Sequence, residues 1–328
     1  MFTFIDVFAG IGGFRQGCEL AGGLCVWACE KDKFARQTYA SNFDIDDHEF
    51  AYDFAKDIED VDPKDIPDHD LLLAGFPCQP FSTAGRREGF AHETQGTLFF
   101  ELAKIIKEKQ PKAFLLENVK GLLSHKSGST MFTIMRVLNE LGYKVYPKVI
   151  DADGFVPQHR ERVYLAGVRE DVDLGWHELK GPWAEFEEDK FRKPPKGYVQ
   201  LRHILEPHDQ VPVKYTMSDR YMTGLRAHTI KQAAKGNTFG YRIYHPGDVT
   251  GALTASYARS AQSILIHQGE HTNPRKLTPR ECARLMGYPE HFKIPVSDTQ
   301  AYKQFGNSVV PGVIWAIMHA MLPWHYRE

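Results

Sequence analysis

Cys78 stands between Pro77 and Gln79, directly after the apolar run Leu71-Leu72-Leu73-Ala74-Gly75-Phe76. Glu117 follows a second apolar run, Ala113-Phe114-Leu115-Leu116, and leads into Asn118 and Val119. Short apolar runs of this kind read as buried strands. A thiol and a carboxylic acid at two strand ends make a specific chemical pair: a thiolate to attack, a carboxyl to move a proton or balance charge. Cations favour a thiolate, and Arg86, Arg87, Arg160 and Arg162 are the candidates. Arg160 and Arg162 stand at i and i+2, one face of a strand, which suits a carbonyl, phosphate or carboxylate oxygen. Two plainer readings stay open on spacing alone. Glu117 can be a structural carboxylate bound to backbone, and the arginines an exposed ladder of charge.

A second feature is the turn Phe8-Ala9-Gly10-Ile11-Gly12-Gly13 after the run Phe2 to Val7. Glycines there let a ligand approach the backbone, and a helix N-terminus favours a negative group. The full Gly-x-Gly-x-x-Gly spacing is missing, so a plain tight turn fits equally well. Glu30 ends the next strand, where an acidic residue often binds ribose hydroxyls, though a surface carboxylate fits equally well.

Six strands are expected to position these residues: Thr3–Phe8, Leu24–Cys29, Asp70–Gly75, Ala113–Glu117, Tyr143–Ile150 and Val163–Val168. Helices are expected between them, ending near Ala21 and spanning about Phe34–Asn42, Thr97–Lys109 and Thr130–Leu141. This alternation predicts an α/β fold with a doubly wound, mostly parallel sheet. The pattern changes near Gly175. Proline, glycine and short β-like pieces dominate from Lys180 to about Gly269, a smaller, irregular β-rich domain. Thr278 then caps a helix with Pro279 at its first position. A final apolar helix spans about Val309 to Met321.

The chain has 328 residues, 42% hydrophobic and 25% charged, an ordinary globular balance. No apolar stretch reaches membrane-span length, and the N-terminus lacks a signal peptide's basic region. Five cysteines in unpaired spacing argue against a disulfide framework. Cys25 and Cys29 lie in an apolar run that fits a core better than a metal site, so no metal is expected. The net charge is −2, but Lys190 to Lys276 holds 14 Lys and Arg against 5 Asp and Glu, a net of +9 that leaves −11 elsewhere. A basic segment in an acidic chain predicts a polyanion-binding face.

In order along the chain, these pieces resemble the DNA (cytosine-5)-methyltransferases, especially the compact bacterial ones of restriction–modification systems. The resemblance covers Asp6 to Gly13, Glu30, Asp57, Pro77-Cys78-Gln79-Pro80-Phe81-Ser82, Gly96 to Phe100, Glu117-Asn118-Val119, Gln158 to Arg162, Arg275 to Met286 and Gln304 to Val309. It implies a Rossmann-like fold that binds S-adenosylmethionine through Phe8, Gly10, Gly12, Glu30, Asp57, Pro77, Leu98, Asn307 and Val309. Cys78 matches the nucleophile, and Glu117, Arg160 and Arg162 the groups around a flipped cytosine. Gln79, Ser82, Arg86 and Thr254 would meet DNA, with Ser82 to Gln95 as a closing loop. Residues 1–178 plus 287–328 would be the catalytic domain and 179–286 the target-recognition domain. Three positions depart from the family pattern: Lys31 for an aromatic ring, Gly154-Phe155 for Tyr-Gly, and Ala252 for threonine.

The implied partner is double-stranded DNA, with no membrane and with a cognate restriction endonuclease acting on the same site. The expected state is a monomer in the bacterial cytoplasm, associated with the nucleoid. A methyltransferase acting on tRNA cytosine shares this scaffold, but the long basic segment favours DNA. An inactive sequence-specific DNA-binding protein is the reading from another class. Intact Cys78, Glu117 and the arginine pair count against it.

Overall fold

The computed structural model describes residues 1–43, 54–55, 57–77, 98–176, 178–184, 186, 199–236, 240–260 and 263–322. It divides into two compact units. One comprises Met1–Asp151, Glu161–Glu188 and Pro311–Glu328, the other Ala152–Arg160 and Asp189–Val310. These packing units differ from the expected functional domains, because residues 287–310 pack within the second unit.

The first unit is built on six strands: β1 (Phe2–Val7), β2 (Gly23–Cys29), β3 (Leu71–Gly75), β4 (Ala113–Val119), β5 (Tyr143–Asp151) and β6 (Glu161–Arg169). Their order is β2-β1-β3-β4-β6-β5. β1, β2, β3 and β4 pair in parallel, and β6 enters antiparallel between β4 and β5. The sheet is therefore mostly parallel, as expected. Central strands are buried on both faces, so β3 and β4 read as unbroken apolar runs rather than alternating ones. Helices α1 (Gly13–Leu20), α2 (Lys33–Asn42), α3 (Leu98–Lys109) and α4 (Ser129–Glu140) connect or flank these strands. Val7, Leu72, Ala74, Phe114 and Leu116 share a core with Leu102, Ile106 and Leu138. Each such Val, Leu, Ile or Phe side chain contributes about 1.5–3 kcal/mol by leaving water.

The last helix, α8 (Pro311–Met321), packs against α1. Gly17 makes that approach possible: a Cβ there would stand 2.6 Å from the Pro311 carbonyl oxygen and the Ile314 Cβ. The chain connects β1 to β2 on one side and then crosses to β3 on the other. The switch point thus lies between the carboxyl ends of β1 and β3, where open sheets bind ligands.

The second unit has little regular sheet: β7 (Ile243–Tyr244) and β8 (Leu265–Ile266) pair in parallel. The expected β-rich character is carried among the described residues by this pair and by isolated bridges at Gln158–Thr250, Thr216–Arg275 and Ile266–Arg275. Its helices are α5 (Asp219–Ala233), α6 (Pro279–Leu285) and α7 (Asp298–Asn307). Sequence reading missed α5, whose apolar positions are sparse. It is held instead by Ser218, which caps it, and by Asp219 and Lys231 placed to suit its dipole. The Thr278–Glu281 capping box opens α6 as expected. Glu281 is fully buried and takes a bidentate pair of 2.7 Å hydrogen bonds from Arg275. Among the described residues, no helix is long and apolar enough to cross a membrane.

Candidate active site

The first unit shapes the turn after β1 with left-handed backbone. Phe8 has φ +58°, Gly10 +56° and Gly12 +83°. This conformation is strained for phenylalanine, and such strain collects at ligand sites. At Gly12 a Cβ would strike the Phe43 ring at 2.2 Å, so glycine is required. At Gly10 nothing lies within 4 Å of that position, which leaves an open cradle beside the backbone.

Glu30 closes this cradle. Its Oε2 accepts from the Gly10 amide at 2.8 Å and its Oε1 from the Asp32 amide at 2.7 Å. The carboxylate is thereby fixed, with lone pairs left for further donors. Burial pushes it above its ordinary value, and the two amides oppose that shift. Asp32 also caps α2, accepting from Phe34 and Ala35. Lys31, next in sequence, ion-pairs with Asp57 Oδ2, while Asp57 Oδ1 accepts from the Glu59 amide at 3.3 Å. The Lys31 hydrogen bond holds the Asp57 carboxyl below its usual range. An oriented carboxylate, a second anchored carboxylate and an open glycine turn fit a ligand with vicinal hydroxyls and an amino group. These are features of the S-adenosylmethionine nucleoside.

Asp6, two residues before Phe8, is fully buried. Burial pushes its carboxyl up to about 8, and the nearby Arg15 charge offsets part of that.

At the end of β4, register places Glu117 beside Gly75, the last residue of β3. Glu117 and Arg162 are diagonal neighbours on adjacent antiparallel strands, since Glu117 faces Tyr164 and Val119 faces Arg162. Arg162 Nε lies 3.0 Å from Glu117 Oε1. Asn118, whose role sequence reading missed, donates from Nδ2 to the Phe76 carbonyl at 2.7 Å. That bond ties the segment entering Cys78 to the end of β4. Pro77 is exposed, and Leu98 is half-buried at the start of α3. Cys78, Gln79, Ser82 and Arg86 lie outside the described residues. The other four cysteines are buried. Burial pushes the Cys29 thiol up to about 12 and raises those of Cys18 and Cys282. Thiols in such surroundings are inert.

Arg160 sits differently from Arg162. It belongs to the second unit and is 3% exposed. Its guanidinium donates to the carbonyls of Leu253 at 2.8 Å, Gly306 at 3.0 Å and Ser308 at 2.6 Å. Geometry therefore gives Arg160 a clamping role within its unit, where spacing suggested a partner of Arg162. Gln158 is fully buried beside it, donating to the Leu285 carbonyl at 2.7 Å and accepting from the Leu253 amide at 3.1 Å. Gly306, also missed, has no room for a Cβ, which would meet the Thr254–Ala255 backbone at 2.2–2.4 Å. This contact seats α7 under Thr254, whose side chain is exposed. Asn307 is exposed and Val309 buried.

The family model for C-5 cytosine-specific DNA methylases matches residues 2–322. The chain is 45% identical over 324 residues to Type II methyltransferase M1.ScrFI of Lactococcus lactis subsp. cremoris, covering 98% of this chain and 78% of the relative. It is 44% identical over 326 residues to Type II methyltransferase M.NlaX of Neisseria lactamica, covering 98% and 96%. Among solved structures, the S. pombe Dnmt2 methyltransferase superposes with a TM-score of 0.74 at 21% identity, over 98% of both chains. That likeness bears on the fold alone. Together with the glycine turn, the fixed Glu30 and the paired strand ends, these matches place the chain in the C-5 cytosine-specific DNA methylase family, as a DNA (cytosine-5)-methyltransferase whose cofactor is S-adenosylmethionine.

Proposed function

We propose that the protein methylates carbon 5 of a flipped-out cytosine in a specific duplex DNA sequence, through a covalent Cys78–carbon 6 adduct. The observation that carries this reading is the convergence of the β3 and β4 ends. Glu117 stands in register with Gly75, and Asn118 holds the Phe76 carbonyl, three and two residues before Cys78. The other cysteines are buried, so the thiol at the β3 end is the one suited to attack.

S-adenosylmethionine supplies an electrophilic methyl group. In the proposed role, Glu30 holds the ribose hydroxyls, Asp57 receives the adenine amine, and Phe8, Gly10, Gly12, Pro77 and Leu98 line the first unit's cofactor site; Asn307 and Val309 match further cofactor positions of the family. Carbon 5 of cytosine is too electron-poor to take the methyl unaided. The Cys78 thiolate adds at carbon 6, giving an enamine that is nucleophilic at carbon 5. Glu117 meets ring nitrogen N3 and the exocyclic amine, offsetting charge as it develops. Arg162 orients Glu117 and holds the ring carbonyl, while Arg160 braces the segment that carries Thr254. After transfer a base removes the carbon 5 proton, and the thiolate leaves. These atoms are hidden within a duplex, so the base must be extruded. Gln79, Ser82, Arg86 and Thr254 contact the DNA, and the segment 179–286 reads the site.

The bacterial Type II relatives support a place in a restriction–modification system beside a cognate endonuclease. The protein then acts as a cytoplasmic monomer on nucleoid DNA. Bisulfite sequencing of DNA from cells expressing the protein tests this reading. One short motif should be protected at a single cytosine. Protection of no motif, with protein present and folded, overturns it.

A further inference from the structure

We propose that the outward face of α5 docks on the sugar–phosphate backbone of duplex DNA. This rests on the reading of the protein as a duplex methyltransferase. The helix has fifteen residues, and only Met222 is buried. Leu225, Thr229 and Gln232 are half-buried on the same side. On the opposite side Arg220, Gly224, Ala227 and Lys231 are all exposed. Their spacing of four, three and four residues makes one stripe along the helix. It is about 17 Å long at 1.5 Å per residue.

The charge is one-sided. Arg220 and Lys231 lie on this stripe and Lys235 just beyond it, while Arg226 and Asp219 stand on the flank nearer Met222. Asp219 already accepts from Asn273 Nδ2 at 2.6 Å. Among the described residues, no ion pair engages the four cations. The surface is thus complementary to a polyanion.

Gly224 adds an independent argument. Glycine inside a helix lowers its stability relative to alanine. Among the described residues no packing requires it, because no atom lies within 4 Å of the position a Cβ would take. With Ala227 it forms a shallow valley between Arg220 and Lys231. A backbone pressed into that valley would bring phosphates within reach of both cations, and a large side chain would hold it off.

Titration of a fluorescent duplex of arbitrary sequence at several salt concentrations tests the proposal. Arg220→Ala/Lys231→Ala should lower affinity by about tenfold near 0.1 M salt and reduce the log–log salt slope by about 2. Gly224→Leu should weaken binding while leaving the melting temperature unchanged or raised. Wild-type slope in the double variant, or wild-type affinity in Gly224→Leu, overturns the proposal. So does a wild-type dimer that Gly224→Leu dissociates, since a second copy would then own this face. Failure of the wild-type protein to bind duplex at all would count against the proposed action on a duplex target, a separate outcome.

Discussion

Arg162 reaches Glu117 diagonally across the β4–β6 ladder, Nε to Oε1 at 3.0 Å. Both side chains are mostly withdrawn from solvent, at 16% and 11% exposure. The pair fixes the direction in which Glu117 presents its second oxygen. In the observed antiparallel register the pair sits one diagonal step apart, Val119 facing Arg162 and Glu117 facing Tyr164.

Glu117→Gln keeps the shape and removes the charge. Methyl transfer should fall by roughly a hundredfold or more, the size of a general acid–base contribution. Single-turnover transfer of a tritiated methyl group measures it. A loss below about threefold would show Glu117 to be structural.

Asp6 gives a pH prediction. Its folded carboxyl titrates near 8, far above that of the unfolded chain. Between about pH 4 and 8 the unfolded state loses this proton first, so stability declines across that window. The contribution is complete below pH 4 and lost by about pH 8. Asp6→Asn should flatten this decline, with its largest gain near pH 8, on the order of a few kcal/mol. Urea titrations across the window give the answer. A variant that tracks the wild type at every pH contradicts the assignment.

Arg160→Ala should destabilise by about 3 kcal/mol or more, because two buried carbonyls and a part-buried one lose a charged donor together. Arg160→Lys should recover only part, since one ammonium cannot span the fork. A fully stable alanine variant would restore the reading of Arg160 as a group facing substrate.

Lys31 anchors the Asp57 carboxylate from an exposed position. Lys31→Met should weaken binding of S-adenosylhomocysteine by roughly two- to fivefold at low salt, the range of an exposed ion pair. The difference should shrink as salt rises. Calorimetry shows it directly, and equal affinities at low salt would contradict it.

Much of this architecture is readable from residue order. β3 and β4 announce themselves because buried parallel strands need unbroken apolar runs, and the helices between strands follow from length and caps. Direction is another matter. No periodicity tells that β6 runs antiparallel between β4 and β5, because side-chain alternation is the same either way. The i, i+2 spacing of Arg160 and Arg162 implies one face and a shared role. Their partners differ: Arg162 pairs with Glu117 within the first unit, and Arg160 donates to Leu253, Gly306 and Ser308 within the second. Gly306 and Asn118 also escape sequence reading. Their constraints come from backbone brought close by the fold, at Thr254–Ala255 and at Phe76. Helix α5 hides because capping and dipole charges hold it, not an apolar face.

In the proposed mechanism Cys78 attacks carbon 6 of a cytosine. Duplex DNA carrying 5-fluorocytosine at the target site blocks loss of the carbon 5 substituent and traps that bond. With S-adenosylmethionine present, a stable protein–DNA adduct should form, and peptide mass spectrometry should locate it at Cys78. Cys78→Ser should form none. Methyl transfer without an adduct, or an adduct at any other residue, would contradict the account.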